Sequence, residues 1–116
     1  MLTDISDNYT KEAWTLRGDI QGFFMSINTN ILLDMLTVLI KNTVKDNAEW
    51  WIWLVTMIVK NRPEDNCYKT GNLSLWDKIP DNKTLFKSNG KGLPIGNYTS
   101  QVFANLYLSE FDKMIK

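Results

Sequence analysis

The feature that most limits the fold of this chain is an apolar run at 50–59, which holds three tryptophans and is interrupted by a single threonine. The run is too short to span a bilayer, because a spanning helix needs about 20 apolar residues. Asp46 with Glu49 three residues on is close to a capping box, and Pro63 marks a stop. The pattern predicts a helix over 46–62 that is apolar nearly all round. Such a helix is expected to be buried by its neighbours or by chain outside these 116 residues.

The three tryptophans of this helix, Trp50, Trp51 and Trp53, have two interpretations. Aromatic rings can serve as platforms on which nucleic-acid bases stack. At helical spacing they are more typical of packing in a core or between subunits. We interpret them as packing residues and keep base stacking as the alternative.

A second helix is predicted over 30–43, where apolar residues surround one polar stripe. Asn28 or Thr29 is suited to cap its start. The stripe recurs at spacings of four, three and four and comprises Asn30, Asp34, Thr37 and Lys41.

The rest of the chain divides into three parts. Apolar and polar residues alternate over 14–20, which predicts a short strand. Residues 63–91 are rich in Asn, Asp, Gly, Lys and Pro and predict a long irregular connection, with room for one ribbon within 68–95. The helical period returns over 97–115. The expected fold class is therefore α+β, mainly helical, in one domain.

Composition excludes several classes of function. Formal net charge is zero, with 13 basic and 13 acidic residues, so no overall electrostatic footprint for nucleic acid is present. One cysteine and no histidine exclude a disulfide framework, a His/Cys zinc site and a Ser-His or Cys-His catalytic pair within this chain. The first residues lack the basic flank and apolar core of a signal peptide, so a cytoplasmic setting without a membrane is expected.

The first stretch that can carry chemistry is RGDIQGFFMSI, residues 17–27. It places Asp19 at the end of the predicted strand, followed by a turn at Gly22 and the rings of Phe23 and Phe24. A nucleotidyl-transfer site needs such a carboxylate to hold Mg²⁺ against a triphosphate. The alternative is a turn residue followed by ordinary core packing.

The second stretch is GLPIGNYTSQVFANLYL, residues 92–108. Pro94 stiffens the loop, Gly96 permits a positive φ or a close backbone approach, and Asn97 is suited to cap the next helix. Free amides at that helix start can face a phosphate or a base. The alternative is a capped Gly/Pro loop of the kind that precedes many helices.

Together the two stretches resemble the reverse transcriptase family, in the branch encoded by bacterial and phage retroelements. RGDIQGFFMSINTNILLDML resembles its first catalytic palm motif and the helix after it, and GLPIGNYTSQVFANLYLSEFD resembles the later motif that contacts the templating pair. PIGN followed by TSQ, with Trp76 to Phe86 upstream, is most similar to the diversity-generating type. The resemblance covers 14–36 and 90–116, and it implies a single partial palm and fingers domain over 1–116.

The resemblance implies a role for each matching residue of the first motif. Asp19 corresponds to the first metal-binding, catalytic aspartate, and Ile20 would offer its backbone carbonyl to a second metal. Phe24 corresponds to the ring that screens the sugar 2′ position and favours deoxynucleotides. The remaining nucleotide-binding positions of this turn are Gln21, Gly22 and Phe23.

The second motif implies a loop beneath the nascent base pair, formed by Pro94–Asn97, with Ser100 and Gln101 on the helix behind it. Where this chain has Ile95, many relatives carry glutamine, which can hydrogen-bond near the incoming nucleotide. We expect Ile95 to lower copying fidelity. Asp19 and the 94–97 turn are expected to border one cavity. The nucleotide-binding residues expected here are Pro94, Ile95, Gly96, Asn97 and Gln101.

The family's Tyr-x-Asp-Asp hairpin is missing, because the only adjacent acids are Glu64 and Asp65. The resemblance therefore implies a segment of an RNA-directed DNA polymerase that is inactive alone and prone to self-associate. The intact bacterial or phage enzyme is expected to use Mg²⁺, deoxynucleotide triphosphates, an RNA template with a primer, and an accessory protein where the retroelement encodes one. The alternative is a non-catalytic structural or interaction domain on a similar scaffold.

Overall fold

A computed structural model of the chain describes residues 2–15 and 17–115. Three long helices account for 45 of these residues, and short helical turns and irregular segments connect them. In chain order the α-helices are α1 Leu2–Ile5, α2 Phe23–Ser26, α3 Thr29–Thr43, α4 Ala48–Val59, α5 Leu73–Trp76 and α6 Tyr98–Ile115. Three short 3₁₀ turns occupy Pro63–Asn66, Asp81–Lys83 and Leu85–Lys87.

The fold is mainly helical, as expected, but the β part of the α+β prediction is wrong for the described residues. The 14–20 stretch contains no strand at the positions described, position 16 lying outside them, and no ribbon forms within 68–95. Alternation favours a strand only where a second strand completes the hydrogen-bond ladder. No described segment pairs with 14–20 in this way.

Helix α3 begins where the sequence predicts it, because Asn28 caps it. Asn28 Oδ1 accepts hydrogen bonds from the backbone N–H groups of Asn30 at 3.0 Å and Ile31 at 3.3 Å. These bonds satisfy two of the amides that a helix start leaves free. The side chains of Leu32 and Leu36 then point into the core.

Helix α4 differs from its prediction in its cap and in its burial. It follows Asn47, whose φ is +58° and whose side chain makes no capping bond, so the expected capping box is not formed. Val59 is its only buried residue. The prediction that Trp50, Trp51 and Trp53 pack in this chain's own core is wrong, because all three are exposed.

The core lies where α3 packs against α4 and α6. The described part is a thin slab with extents of 58 × 48 × 19 Å and a radius of gyration of 19.0 Å. A compact chain of this length would have a radius of gyration of about 13 Å. None of the described helices is long and apolar enough to cross a bilayer. The buried apolar residues of the main cluster are Ile27, Leu32, Leu36, Val59, Leu93, Phe103 and Ala104.

The 63–91 connection is irregular, as predicted, but it has local order. The indole Nε1–H of Trp76 donates to the Thr70 carbonyl at 3.1 Å, and its ring meets Phe86 edge-on at 5.3 Å. Lys87 Nζ donates to two carbonyl groups of the same segment at 2.8 and 2.9 Å. The segment therefore forms a folded loop beside the core.

Candidate functional site

The two stretches that resemble polymerase motifs lie directly against each other. The Leu93 N–H donates to the Phe24 carbonyl at 2.9 Å, and the Gly92 N–H donates to the Ile27 carbonyl at 2.8 Å. The hydroxyl of Thr29 also donates to the Gly90 carbonyl at 3.3 Å. Backbone hydrogen bonds therefore join the α2 region to the loop that precedes α6.

Two glycines permit close backbone contacts in this region, Gly92 between the two stretches and Gly22 against the 81–83 turn. Gly92 has φ +87°, and a Cβ added there would lie 3.0 Å from Met25 Cα. Gly22 has φ +62°, and a Cβ there would lie 2.5 Å from the Asn82 carbonyl oxygen. Both positions combine a left-handed backbone with a steric limit, and only glycine meets both conditions without strain.

Asp19 lies in a groove of about 510 Å³ between the 18–23 segment and the C-terminal half of α6. Its side chain is exposed, and no described residue pairs with it. Ile20, whose backbone carbonyl was predicted to bind a second metal, lines the same groove. The full lining is Gly18, Asp19, Ile20, Phe23, Leu108, Phe111, Asp112 and Ile115.

The groove contains a second carboxylate, Asp112, that was not predicted as a site residue. Asp112 lies at an exposed position of α6, where a carboxylate is ordinarily solvated. The 18–23 segment lies beside α6, with the Phe23 and Tyr107 ring centroids 6.4 Å apart, and this tertiary arrangement puts Asp112 in the same groove as Asp19. No sequence signal we used could have found it.

The described residues do not by themselves form a magnesium centre. No group of three or more His, Cys, Asp or Glu side chains that could hold a metal occurs within 2–15 and 17–115. Two-metal catalysis requires carboxylates on both sides of a metal pair about 3.5–4 Å apart. Asp19 as a magnesium ligand therefore remains a prediction.

The predicted turn at Pro94–Asn97 borders a different cavity, of about 250 Å³. Sequence reasoning expected one cavity shared with Asp19. The separation follows from α6, because the turn precedes its first residue, whereas the Asp19 groove begins at Leu108. Ten residues of α-helix span about 15 Å. The lining of the turn cavity is Met57, Ile58, Asn61, Leu93, Pro94, Asn97, Thr99, Ser100 and Phe103.

The remaining predicted residues of the second motif face solvent. Ile95 is 71% exposed, Gly96 has a φ of +103°, one of the two features expected of it, and Gln101 is exposed. Ser100 is buried behind the turn. The Asn97 carbonyl accepts the N–H of Ser100 at 3.1 Å, so Asn97 immediately precedes the helix, as predicted.

The two phenylalanines of the first motif occupy different surroundings. Their rings meet edge-on with centroids 5.8 Å apart, and both pack on the core cluster. Phe23 lines the Asp19 groove, whereas Phe24 does not. Phe24, the ring predicted to screen the sugar 2′ position, is therefore half-buried beside the core. The ring that lies in the groove with Asp19 is Phe23. Gln21, between Ile20 and Gly22, is exposed.

With this geometry in hand, the chain was compared with known proteins. No family model, curated protein or solved structure matches it. The basis for a proposed function is therefore the resemblance of the two stretches to polymerase motifs together with the backbone bonds between them.

Proposed function

We propose that this chain is a segment of an RNA-directed DNA polymerase of a bacterial or phage retroelement, most similar to the diversity-generating type. The observation that carries the proposal is the pair of backbone hydrogen bonds from Gly92 and Leu93 to Ile27 and Phe24. These bonds join two stretches that resemble separate motifs of one active site. A polymerase requires its metal-binding and base-seating segments on one rigid scaffold.

Within this proposal, the 17–24 stretch forms one wall of the catalytic cleft. Asp19 supplies one carboxylate toward Mg²⁺, and its exposure leaves it accessible to a nucleotide. The groove places a flat ring, Phe23, next to this carboxylate. Further metal ligands are expected from a Tyr-x-Asp-Asp segment, which these 116 residues do not contain.

The 94–97 turn supplies the surface beneath the templating pair. Its cavity combines the rigid Pro94, the amide of Asn97 and the buried hydroxyl of Ser100 with apolar walls. A few fixed polar groups in an apolar pocket are the usual arrangement for binding a planar ligand. Because this turn and Asp19 border separate cavities, the proposal requires the exposed 17–20 stretch, which precedes the two joining hydrogen bonds, to move toward the turn.

Primer extension by a longer protein tests the proposal. The chain is expressed with the coding sequence on both sides and assayed with a labelled DNA primer on an RNA template, Mg²⁺ and deoxynucleotides. We expect template-dependent extension that Asp19→Asn lowers by at least about 100-fold, since metal coordination contributes several kcal/mol to such reactions. Asp34→Asn, an exposed carboxylate on α3, is the matched control. Extension that survives Asp19→Asn would contradict the proposal.

A non-catalytic interaction domain is the second candidate, and one observation favours it. Helix α4 presents an unusually apolar face to solvent, which is typical of an interaction surface. Flanking coding sequence that lacks a Tyr-x-Asp-Asp segment, together with no extension activity, would favour this candidate over the polymerase.

A further inference from the structure

Helix α4 carries an exposed apolar surface, here called the α4 outer face and defined by Trp50, Trp53 and Met57. Their side chains are 52%, 57% and 56% exposed. With 100° between successive residues, the three lie within about 60° of each other and opposite the buried Val59. Trp51 and Ile58, both exposed, continue the surface along one side.

A surface of this composition is unusual for a chain that stays alone in water. Large apolar patches on soluble proteins mark contact sites, and tryptophan is the residue most enriched among those that dominate binding energy. The rings of Trp50 and Trp51 pack edge-on against each other, with centroids 4.9 Å apart. The α4 outer face therefore has the properties of an interface.

Two charged residues flank this face in an arrangement that specifies the partner. Glu49 lies at the start of α4 and Lys60 at its end, and both are exposed. Eleven residues make about three helical turns, so the two lie on the same side of the face, about 16 Å apart along the axis. Neither residue forms an ion pair with another described residue.

We infer that the α4 outer face binds the same face of a second copy of this chain, with the two helices antiparallel. In such a dimer the two-fold axis is perpendicular to the helix axes and to the line that joins them. The same flank of each helix then lies on the same side of the interface, and the two helices run in opposite directions. Glu49 of one copy then lies opposite Lys60 of the other, twice per dimer. In a parallel pair, the flank of one copy that carries Glu49 and Lys60 would lie against the other flank of its partner. Neither charge pair would then form.

Ring packing, the helix dipoles and symmetry also favour the antiparallel dimer. Trp53 lies near the middle of the helix, so the two copies of this ring would pack close to the two-fold axis. Antiparallel helices also place opposite ends of their backbone dipoles together. The face is self-complementary, which is the requirement for a symmetric dimer. This inference is independent of the proposed polymerase function.

Sedimentation velocity of the 116-residue chain tests the interface. We expect a monomer–dimer equilibrium in the micromolar range, as is usual for small interfaces. Trp53→Glu should raise the dimer dissociation constant by at least about 30-fold, as expected for a central tryptophan. Trp14→Glu, at an exposed position outside the helices, is the matched control and should leave the constant unchanged. Far-UV circular dichroism checks that both variants fold.

A charge exchange tests the orientation. Glu49→Lys and Lys60→Glu should each weaken the dimer by about three- to ten-fold at low salt, because each creates like-charge contacts across the interface. The double variant restores both pairs and should return the constant to within about two-fold of the original. A chain that stays monomeric at all concentrations, dimers insensitive to Trp53→Glu, or a double variant without recovery would each overturn the inference.

Discussion

The Leu93 N–H donates to the Phe24 carbonyl at 2.9 Å, and this bond joins two segments that are distant in sequence. Leu93 is also buried in the main apolar cluster, on which the Phe24 ring packs. The backbone bond therefore lies beside the main apolar cluster, to which both residues contribute side chains. The relative position of the two motifs depends on this contact and on the glycine beside it.

Replacing Gly92 with alanine should destabilise the fold by about 3 kcal/mol. The new Cβ meets the backbone at Met25 and the Leu85 side chain, and the left-handed φ adds strain. Gly71→Ala is the matched control, because its φ of +84° is similar and no atom lies within 4 Å of the added Cβ. It should cost about 1 kcal/mol. Urea denaturation measures both, and equal costs would contradict the steric argument.

The ion pair between Arg62 and Glu64 should contribute more to stability than an exposed one. The Glu64 side chain is 6% exposed, so Arg62→Ala would leave a buried carboxylate without its partner. We expect a loss of about 3 kcal/mol in the free energy of unfolding. Lys113→Ala, which breaks the exposed pair with Glu110, should cost at most about 0.5 kcal/mol. Equal losses in thermal or urea unfolding would show that burial does not strengthen the first pair's effect.

Asp19→Asn should leave the stability of this chain within about 0.5 kcal/mol of its original value. The carboxylate is exposed and has no described partner, and surface changes of this kind are usually near neutral. Asp112→Asn, across the same groove, serves as the comparison. Urea denaturation of the chain checks both. A large loss from Asp19→Asn would indicate a structural role and would weaken any catalytic reading of lost activity.

Ile95→Gln should lower misincorporation by about five-fold in the longer, active protein, the effect of one added hydrogen bond of about 1 kcal/mol. Ile95 is largely exposed, so the fold has no need for this apolar side chain. The measurement is primer extension with one deoxynucleotide omitted. Lys91→Gln, another exposed loop position, is the control, and an unchanged error rate in Ile95→Gln would remove the fidelity hypothesis.

Local features of this protein could be predicted from sequence because neighbouring residues determine them. The helix over 30–43 depends on its own periodicity and on the Asn28 cap, and it forms as α3. The 63–91 connection is irregular because its Gly, Pro and Asn content disfavours long elements. Gly96 adopts a positive φ that its residue type permits. Each prediction needed only interactions within a few residues.

Other features required partners that lie far along the chain, and only the tertiary structure decided them. The 14–20 stretch alternates like a strand, but no described segment completes a hydrogen-bond ladder with it. Asp112 shares a groove with Asp19 because the 18–23 segment lies beside α6. The tryptophans of α4 are apolar enough for a core, yet the thin slab leaves them in solvent. Residue types determined which helices form, whereas long-range contacts determined which of their faces were covered, because burial depends on what the rest of the chain places opposite.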